Sequence, residues 1–324
     1  MKRLLSRTIL FAAIISTWCC AQTPFHTDQN ARDTAQYTII FMSDTQAPME
    51  FEKIFMQTHR NEEATKILLK AIENDSSVSS VFLFGDVTAM SSINSNWATL
   101  DSFLTRLKVR HIPAYAAAGN HDYLISPRLG EANLKKRFPD FKRTGYTIRM
   151  GPLALVLLNS NFAELKYSEE AQQQAWYLHE LQALEQDSTV RMVAVGCHHS
   201  PFSNSTIVGH DQNVRDQFVP AFMNSNKCRL FLSGHAHTFQ HFKDTVAQKH
   251  FLVIGGGGGL LHTLKVGAPD ELQDQVRWND KYRMFHYVRG VLTSDGLFLK
   301  VMMLTEDLAG PKSVYELFIP FPRR

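Results

Sequence analysis

The chain has 324 residues, with 34 Lys+Arg against 31 Asp+Glu, 44% hydrophobic and 20% charged. Length allows one large domain or two small ones, and the apolar fraction suffices for a full core. The composition excludes a multi-span membrane protein, a collagen-like or coiled-coil rod, a disulfide scaffold and a largely disordered chain.

Residues 1–21 read as an export signal. Lys2, Arg3 and Arg7 supply the positive region, Ile9 to Trp18 a short apolar run, and Cys19-Cys20-Ala21 the small residues before a cut ahead of Gln22. The run is shorter than the roughly 20 apolar residues that an ordinary membrane-spanning helix needs. A lipid anchor on Cys19 or Cys20 and a retained helix are the alternatives; Trp18 fits poorly just before a lipidated Cys19. Removal of the signal takes away three of the 34 basic residues and no acidic one, leaving 31 against 31. A neutral mature chain has no global field for nucleic acid or for an anionic membrane, so neither is an expected partner. Only Cys197 and Cys228 remain, near opposite ends of two expected strands, and free thiols follow.

A polar leader, 22–36, precedes a single domain over 37–324. Tyr37 to Met42 is a β-rich run that ends at Ser43-Asp44. Asn61 is placed to cap a helix through Ile72, with Glu62 and Glu63 in its first turn. Val81 to Phe84 is a buried strand that ends in Gly85-Asp86. Trp97 to Leu107 reads as helix, and Ile112 to Ala117 as a strand that ends in Gly119-Asn120-His121-Asp122. Two strands, Thr147 to Met150 and Leu153 to Leu158, flank a Gly151-Pro152 hairpin turn. Ser168 to Glu185 is a long helix with Ser168 as its cap. Val190 to Gly196 is a strand that ends in Cys197-His198-His199, Asp211 to Met223 a helix, and Leu230 to Leu232 a strand that ends in Ser233-Gly234-His235-Ala236-His237. The remainder is strand-rich: Phe251 to Ile254, Met284 to Thr293, Leu297 to Leu304 and Val314 to Ile319. Alternation of strands and helices without a repeat or a linker gives one α/β domain.

Five strands thus end in clusters rich in Asp, Asn and His. In open α/β sheets ligands gather at the carboxyl ends of strands, so clusters spread over nearly 200 residues converge on one edge. One Asp after a strand is ordinarily a turn residue or helix cap. The set is another matter, because carboxylate, imidazole and amide oxygen together suit borderline divalent or trivalent metals. Half of the 14 His lie between His198 and His250, too dense for core use. Two metals about 3.5–4 Å apart are a recurrent device for in-line attack at phosphorus.

In these motifs the chain resembles the calcineurin-like metallophosphoesterases, which include the purple acid phosphatases. The resemblance covers about Tyr37 to Ile254. It implies a four-layer α/β/β/α sandwich with two mixed β-sheets and two metal ions (Fe, Mn or Zn) at the strand ends. By motif, Asp44 and His237 would hold the first metal, Asp86 would bridge, and Asn120, His199 and His235 would complete the second site. His121 would sit close by and meet the phosphoryl oxygen or leaving group, with Asp122 orienting its ring. His199-Ser200-Pro201 matches the family's His-x-Pro. Neighbours in extended chain face opposite ways, so His199 is expected at the metals, with His198 either supporting the ligands from behind or packed away. His210 falls where purple acid phosphatases place a substrate-pocket His, and a solvated loop His is the alternative.

Two departures stand out. Gln46 replaces the His of Asp-x-His, a weaker neutral ligand seen also in an Asp-x-Gln subgroup whose Asn-Ser and aromatic stretch resembles Asn159 to Phe162. Ala89 stands where purple acid phosphatases carry Tyr, which removes the charge-transfer colour and one reason to hold ferric iron. Gly255 to Gly259 lacks the Gly-Lys-Ser/Thr ending of a phosphate-binding P-loop. Backbone approach to the metals and a plain surface turn both remain open for it. His241 and His250 read as surface or packed residues, and Trp97, Phe103 and Trp176 as core. Arg128, Lys135, Lys136, Arg137, Lys142 and Arg143 lie on inserts expected to rim the site, at surface or facing phosphate. The expectation is an exported dinuclear phosphoric-ester hydrolase, leaning to phosphomonoesters, in which a metal-bridged hydroxide attacks phosphorus in line. Its substrate would be a small-molecule or protein phosphate ester. The alternatives are a phosphodiesterase on the same site and a non-catalytic binding protein with a degenerate first site.

Overall fold

The computed structural model describes residues 26–28, 37–276 and 282–322. The expected signal therefore lies outside the described residues, and of the leader only a short strand, β1 (His26–Asp28), is described. Among the described residues no helix is long and apolar enough to cross a membrane.

Among the described residues, thirteen strands form two mixed sheets. The first contains β1, β5 (Tyr146–Met150), β6 (Leu153–Leu157), β7 (Met192–Gly196), β8 (Cys228–Ser233), β10 (Lys249–Ile254) and β9 (Phe239–Asp244), in that order. The second runs β13 (Lys312–Pro320), β12 (Gly296–Met303), β11 (His286–Leu292), β2 (Tyr37–Met42), β3 (Val78–Phe84), β4 (Ala114–Ala117). Within these, β2, β3 and β4 are parallel, as are β6, β7 and β8. Each sheet therefore presents three adjacent carboxyl ends on one edge.

Alternation along the strands sorts the core. On β6 and β7, Leu153, Leu155, Leu157, Met192 and Ala194 join the larger apolar core with the second sheet and with Leu68 and Ile72 of α2 (Asn61–Asn74) and Phe103 of α3 (Ala98–Val109). Their alternates, Ala154, Val156, Val193 and Val195, pack with Tyr177 and Leu181 of α5 (Tyr167–Gln186) and with Phe222. Two sheets with helices on their faces give the expected four-layer sandwich.

Several boundaries differ from expectation for physical reasons. Arg60, with φ of 56°, is the residue before α2, and the Asn61 amide is spent elsewhere. α5 begins one residue before Ser168, and Glu169 accepts the Lys166 N–H at 2.8 Å. The 211–223 segment forms two short helices, α6 (Gln212–Gln217) and α7 (Val219–Asn224), meeting at Phe218; Asp211 caps the first through the Val214 N–H. A short α1 (Glu52–Phe55) and an eleven-residue α4 (Pro127–Arg137) occupy stretches read as inserts. Cys197 and Cys228 are buried free thiols, and burial pushes the Cys228 thiol up to about 12.

Candidate metal centre

The second sheet delivers oxygen. Asp44 and Asp86 follow β2 and β3 in the left-handed region, with φ of 59° and 50°, a conformation that costs an L-residue roughly 1–2 kcal/mol. Such strain persists where surrounding bonds fix it. Asp44 accepts the His235 N–H at 3.0 and 3.1 Å on its two oxygens. Asp86 Oδ1 accepts the His121 N–H at 2.8 Å. Both carboxylates are buried, at 0% and 1% exposure, where only charge-assisted bonds or a cation make ionisation tolerable.

The first sheet delivers nitrogen. His198 Nδ1 lies 2.9 Å from the Phe84 carbonyl and His237 Nδ1 lies 2.7 Å from that of Leu260. A carbonyl only accepts, so both rings carry hydrogen on Nδ1 and turn Nε2 toward the carboxylates. His198 Nε2 is 3.2 Å from Asp86 Oδ2 and 3.1 Å from Asn120 Oδ1, and His237 Nε2 is 3.4 Å from Asp44 Oδ1. The candidate ligand atoms of Asp44, Asp86 and His237 all lie within 4.8 Å of one another, and so do those of His198, His199 and His235.

His198 therefore departs from expectation. It is fully buried and faces Asp86 and Asn120, while His199 lies tilted against His235 with centroids 4.5 Å apart and meets Ser160 Oγ through Nδ1 at 2.9 Å. The two-faced alternation fails because β7 stops at Gly196 and the chain bends at 198–199. Ser200 and Gly234 tie the two loops together: Gly234 N–H donates to the His198 carbonyl at 2.8 Å and Ser200 Oγ to that of Gly234 at 2.7 Å.

His121 turns Nδ1 to the Ala89 carbonyl at 3.1 Å and holds Nε2 3.9 Å from Asp86 Oδ2. Asp122 does not orient that ring. Its Oδ2 accepts the Gly119 and Asp86 N–H groups at 2.8 and 3.0 Å and its Oδ1 accepts Ser91 Oγ at 2.5 Å, so it clamps the loops after β3 and β4. His210 is exposed, on a loop closed by the Asp211 N–H to the Ser200 carbonyl at 2.7 Å. Three of the six cations expected at the rim are held in ion pairs: Arg137 with Asp101, and Lys135 and Arg143 with Glu131.

The five-glycine run belongs to this centre. Gly257 and Gly259 donate to the Ser43 and Asp44 carbonyls at 3.0 and 3.1 Å, and Asn61 donates to those of Gly258 and Gly259 at 2.9 Å each. A Cβ on Gly259 would come within 2.3 Å of the His237 ring, and one on Gly255 within 2.2 Å of the Ala236 carbonyl. Close backbone approach requires glycine here. Gly119 is equally constrained, since a Cβ would sit 2.2 Å from Asp86 Oδ1.

Sequence reading missed Ser91, Ser160 and the backbone donors that hold the carboxylates. It also missed His262, which stacks on His237 at 4.4 Å and accepts the His237 N–H at 3.1 Å. No spacing signal marks such partners.

The carboxylates of one sheet and the imidazoles of the other shift one another's protonation. Burial disfavours charge on Asp86, yet the His198 and His121 imidazoles outweigh it and hold the carboxyl well below the usual range. Burial likewise opposes charge on His198, but Asp86 and then Asp44 raise it to about 9. His237 is raised too, against burial, by its bond to Asp44. Burial and then the neighbouring His198 charge lower His199 to about 3 and push His235 well down, so both rings present lone pairs. Burial and the Asp86 charge lift Asp122 to about 7.

This donor set fits metal. Ligands about 2.0–2.2 Å from one ion at near-tetrahedral angles lie about 3–3.5 Å apart, the separation found within the Asp44–His237 and Asp86–Asn120–His198 groups. Backbone carbonyls on the opposite ring nitrogens are the usual device for orienting ligating imidazoles. A family model for calcineurin-like phosphoesterases matches residues 37–239, more than half of the chain. The chain belongs to the calcineurin-like phosphoesterase family. The family is described as one of phosphoesterases, which cleave phosphoric esters.

Solved structures share the fold at low identity. A purple acid phosphatase from yellow lupin (Lupinus luteus) seeds aligns with TM-score 0.63 and 15% identity, over 88% of this chain and 54% of that one. This chain thus spans about half of that structure's length. A dimetal phosphatase from Danio rerio aligns with TM-score 0.58 and 15% identity, over 88% and 99%. GAP50, described as the anchor in the inner membrane complex of Plasmodium, aligns with TM-score 0.65 and 11% identity, over 90% of each. Among curated proteins, none matches this chain in sequence.

Proposed function

We propose that this phosphoesterase is a dinuclear phosphomonoesterase exported from the cell by its 1–21 signal. The carrying observation is the convergence of two ligand groups, Asp44–Asp86–His237 and His198–His199–His235, joined where His198 Nε2 comes 3.2 Å from Asp86 Oδ2, with the His121 ring beside that carboxylate. The first ion would be held by Asp44, Asp86 and His237 with Gln46, and the second by Asp86, Asn120, His198 and His235, with His199 against them. When bound, the ions supply Lewis acidity toward the phosphoryl oxygens and a water acidic enough to act as nucleophile.

The chain's own residues do the rest. Buried Asp44 and Asp86 and the strained turns fix the geometry before substrate arrives, which is where electrostatic catalysis gains most. His121 is held by the Ala89 carbonyl on Nδ1, so it gives a proton from Nε2 to the leaving oxygen as the doubly protonated ring. His210, on its exposed loop, would serve the outer part of the substrate. The monoester preference rests on the likeness of the His199-Ser200-Pro201 to His210 stretch to acid phosphatases, and on the phosphatases among the fold neighbours. The anchor among those neighbours means that fold alone does not decide for catalysis; the near-complete donor set supports it. Purified mature protein supplied with Mn, Zn or Fe should hydrolyse p-nitrophenyl phosphate faster than bis-p-nitrophenyl phosphate. Faster diester cleavage would replace the monoester reading. A precursor that stays uncleaved in the cytoplasmic fraction would remove export.

A further inference from the structure

We propose that the edge bearing the metal centre works at a lipid surface, and that its ester is the phosphomonoester headgroup of a long-chain lipid. The proposal rests on the phosphomonoesterase reading above and adds to it the class of the ester.

Exposed apolar side chains carry the argument. Phe51, Ile54, Phe55, Ile125, Leu129 and Ile207 are each between 52% and 83% exposed. They sit where the chain leaves the carboxyl ends of three strands: on α1 after β2, on the turn and first residues of α4 after β4, and on the loop after β7. Those strand ends also carry Asp44, Asn120 and His199. The turns at the opposite ends show single cases such as Val109 and Val246. Scattered apolar residues are ordinary on a surface, whereas a set gathered around one site marks a binding face.

Two details sharpen this. Phe51, Ile54 and Phe55 stand at i, i+3 and i+4, so they share one side of α1, a helix of which no residue is buried. Ile125 lies in the left-handed region with φ of 66°, which a β-branched residue rarely adopts. The Leu124 carbonyl fixes that turn by accepting the Ser126 N–H at 2.8 Å and Ser92 Oγ at 3.0 Å. Backbone strain here holds an isoleucine out in solvent.

Whatever covers this edge must also bring the substrate. A second copy or a tightly seated protein would close the centre that the six residues surround. They protrude from three separate loops rather than line a groove, which suits a fluid interface that accepts apolar side chains wherever they stand. Arg128, exposed between Ile125 and Leu129, pairs with no acidic residue among the described ones, and a guanidinium suits a phosphate headgroup. Lys53 and Arg60 are matched by Glu50 and Glu63. Attachment is therefore by apolar insertion and needs no net positive field.

The test uses the metal-loaded mature protein and phosphatidylcholine vesicles, with and without a minor share of phosphatidate. Flotation reads binding and released phosphate reads turnover. Glycerol 3-phosphate supplies the same headgroup without chains, and p-nitrophenyl phosphate is the soluble reference. The expected result is flotation with both kinds of vesicle, and a kcat/KM on vesicle phosphatidate at least about tenfold above that on glycerol 3-phosphate. Phe51→Ser, Ile54→Ser and Phe55→Ser together should abolish flotation and cost at least about tenfold in phosphatidate turnover, with p-nitrophenyl phosphate turnover unchanged. Leu129→Ser, on another element, should lower flotation and phosphatidate turnover by a smaller factor, and guards against misfolding of the triple variant. Wild-type protein that cleaves p-nitrophenyl phosphate but does not float overturns this proposal alone, as does equal kcat/KM on the two glycerol esters. A folded triple variant that floats like the wild type overturns it too. So does a wild-type dimer in sedimentation that the triple variant breaks, since a second copy then covers the edge. No turnover on any of the three esters overturns the phosphomonoesterase reading and the lipid ester with it.

Discussion

The strand ends of the second sheet carry Asp44, Asp86 and Asn120, whereas those of the first carry His198, His199, His235 and His237. The oxygen side is held by backbone: N–H groups of His121 and His235 on its carboxylates, and left-handed turns at both Asp. The nitrogen side is held by carbonyls and a hydroxyl on the far ring nitrogens. Each side is fixed by groups that the other supplies or that the glycine run brings in. Neither is a site alone, and Asp86 is where they meet. The lesson is that a loop residue on one wall can disable ligands on the other.

The strongest way to break the comparison is at the shared carboxylate. Asp86→Asn should lower kcat on p-nitrophenyl phosphate by at least on the order of 10³-fold, with metal content falling in the same preparation. His121→Ala should cost about 10²–10⁴-fold in kcat while both ions stay bound. Unchanged turnover with metals bound would remove His121 as the acid. Gly234→Ala acts across the walls, because its Cβ would meet Asp44 Oδ2 at 2.3 Å. It should destabilise the fold by about 1–3 kcal/mol, read by chemical denaturation, and weaken metal uptake although no ligand is altered.

The smallest effect is a pH dependence. Metal must displace the protons that His198, raised to about 9, and His237 hold against their carboxylates. Uptake at neutral pH should therefore release protons, and apparent affinity should rise with pH until about 9 and fall as acid refills the rings. Titration calorimetry in buffers of different ionisation enthalpy reads the proton count directly. No net release would mean that the two rings are not displaced by metal.

Much of this was legible in the sequence, since strands that end in Asp, Asn and His gave both the sheet edges and most donors. What was not legible lies in backbone direction. The side that His198 faces depends on where β7 stops, one residue before Cys197. The task of Asp122 is set by N–H groups, which all residues but proline share. The orientation of Gln46 is set by two carbonyls. β9 was hidden because Phe239–Asp244 mixes His, Gln and Lys into a strand whose polar groups pair internally, as His241 does with His250 and Tyr315. α4 was hidden because its eleven residues, with only Leu129, Ala132 and Leu134 apolar besides the first Pro and Gly130, carry a weak helical stripe.

Anomalous diffraction from crystals of the metal-loaded protein tests the central claim most directly. Two peaks about 3.5–4 Å apart are predicted, both touching Asp86, one beside Asp44, Gln46 and His237 and the other beside Asn120, His198 and His235. A single peak, or a pair that leaves Asp86 outside both coordination spheres, would contradict it.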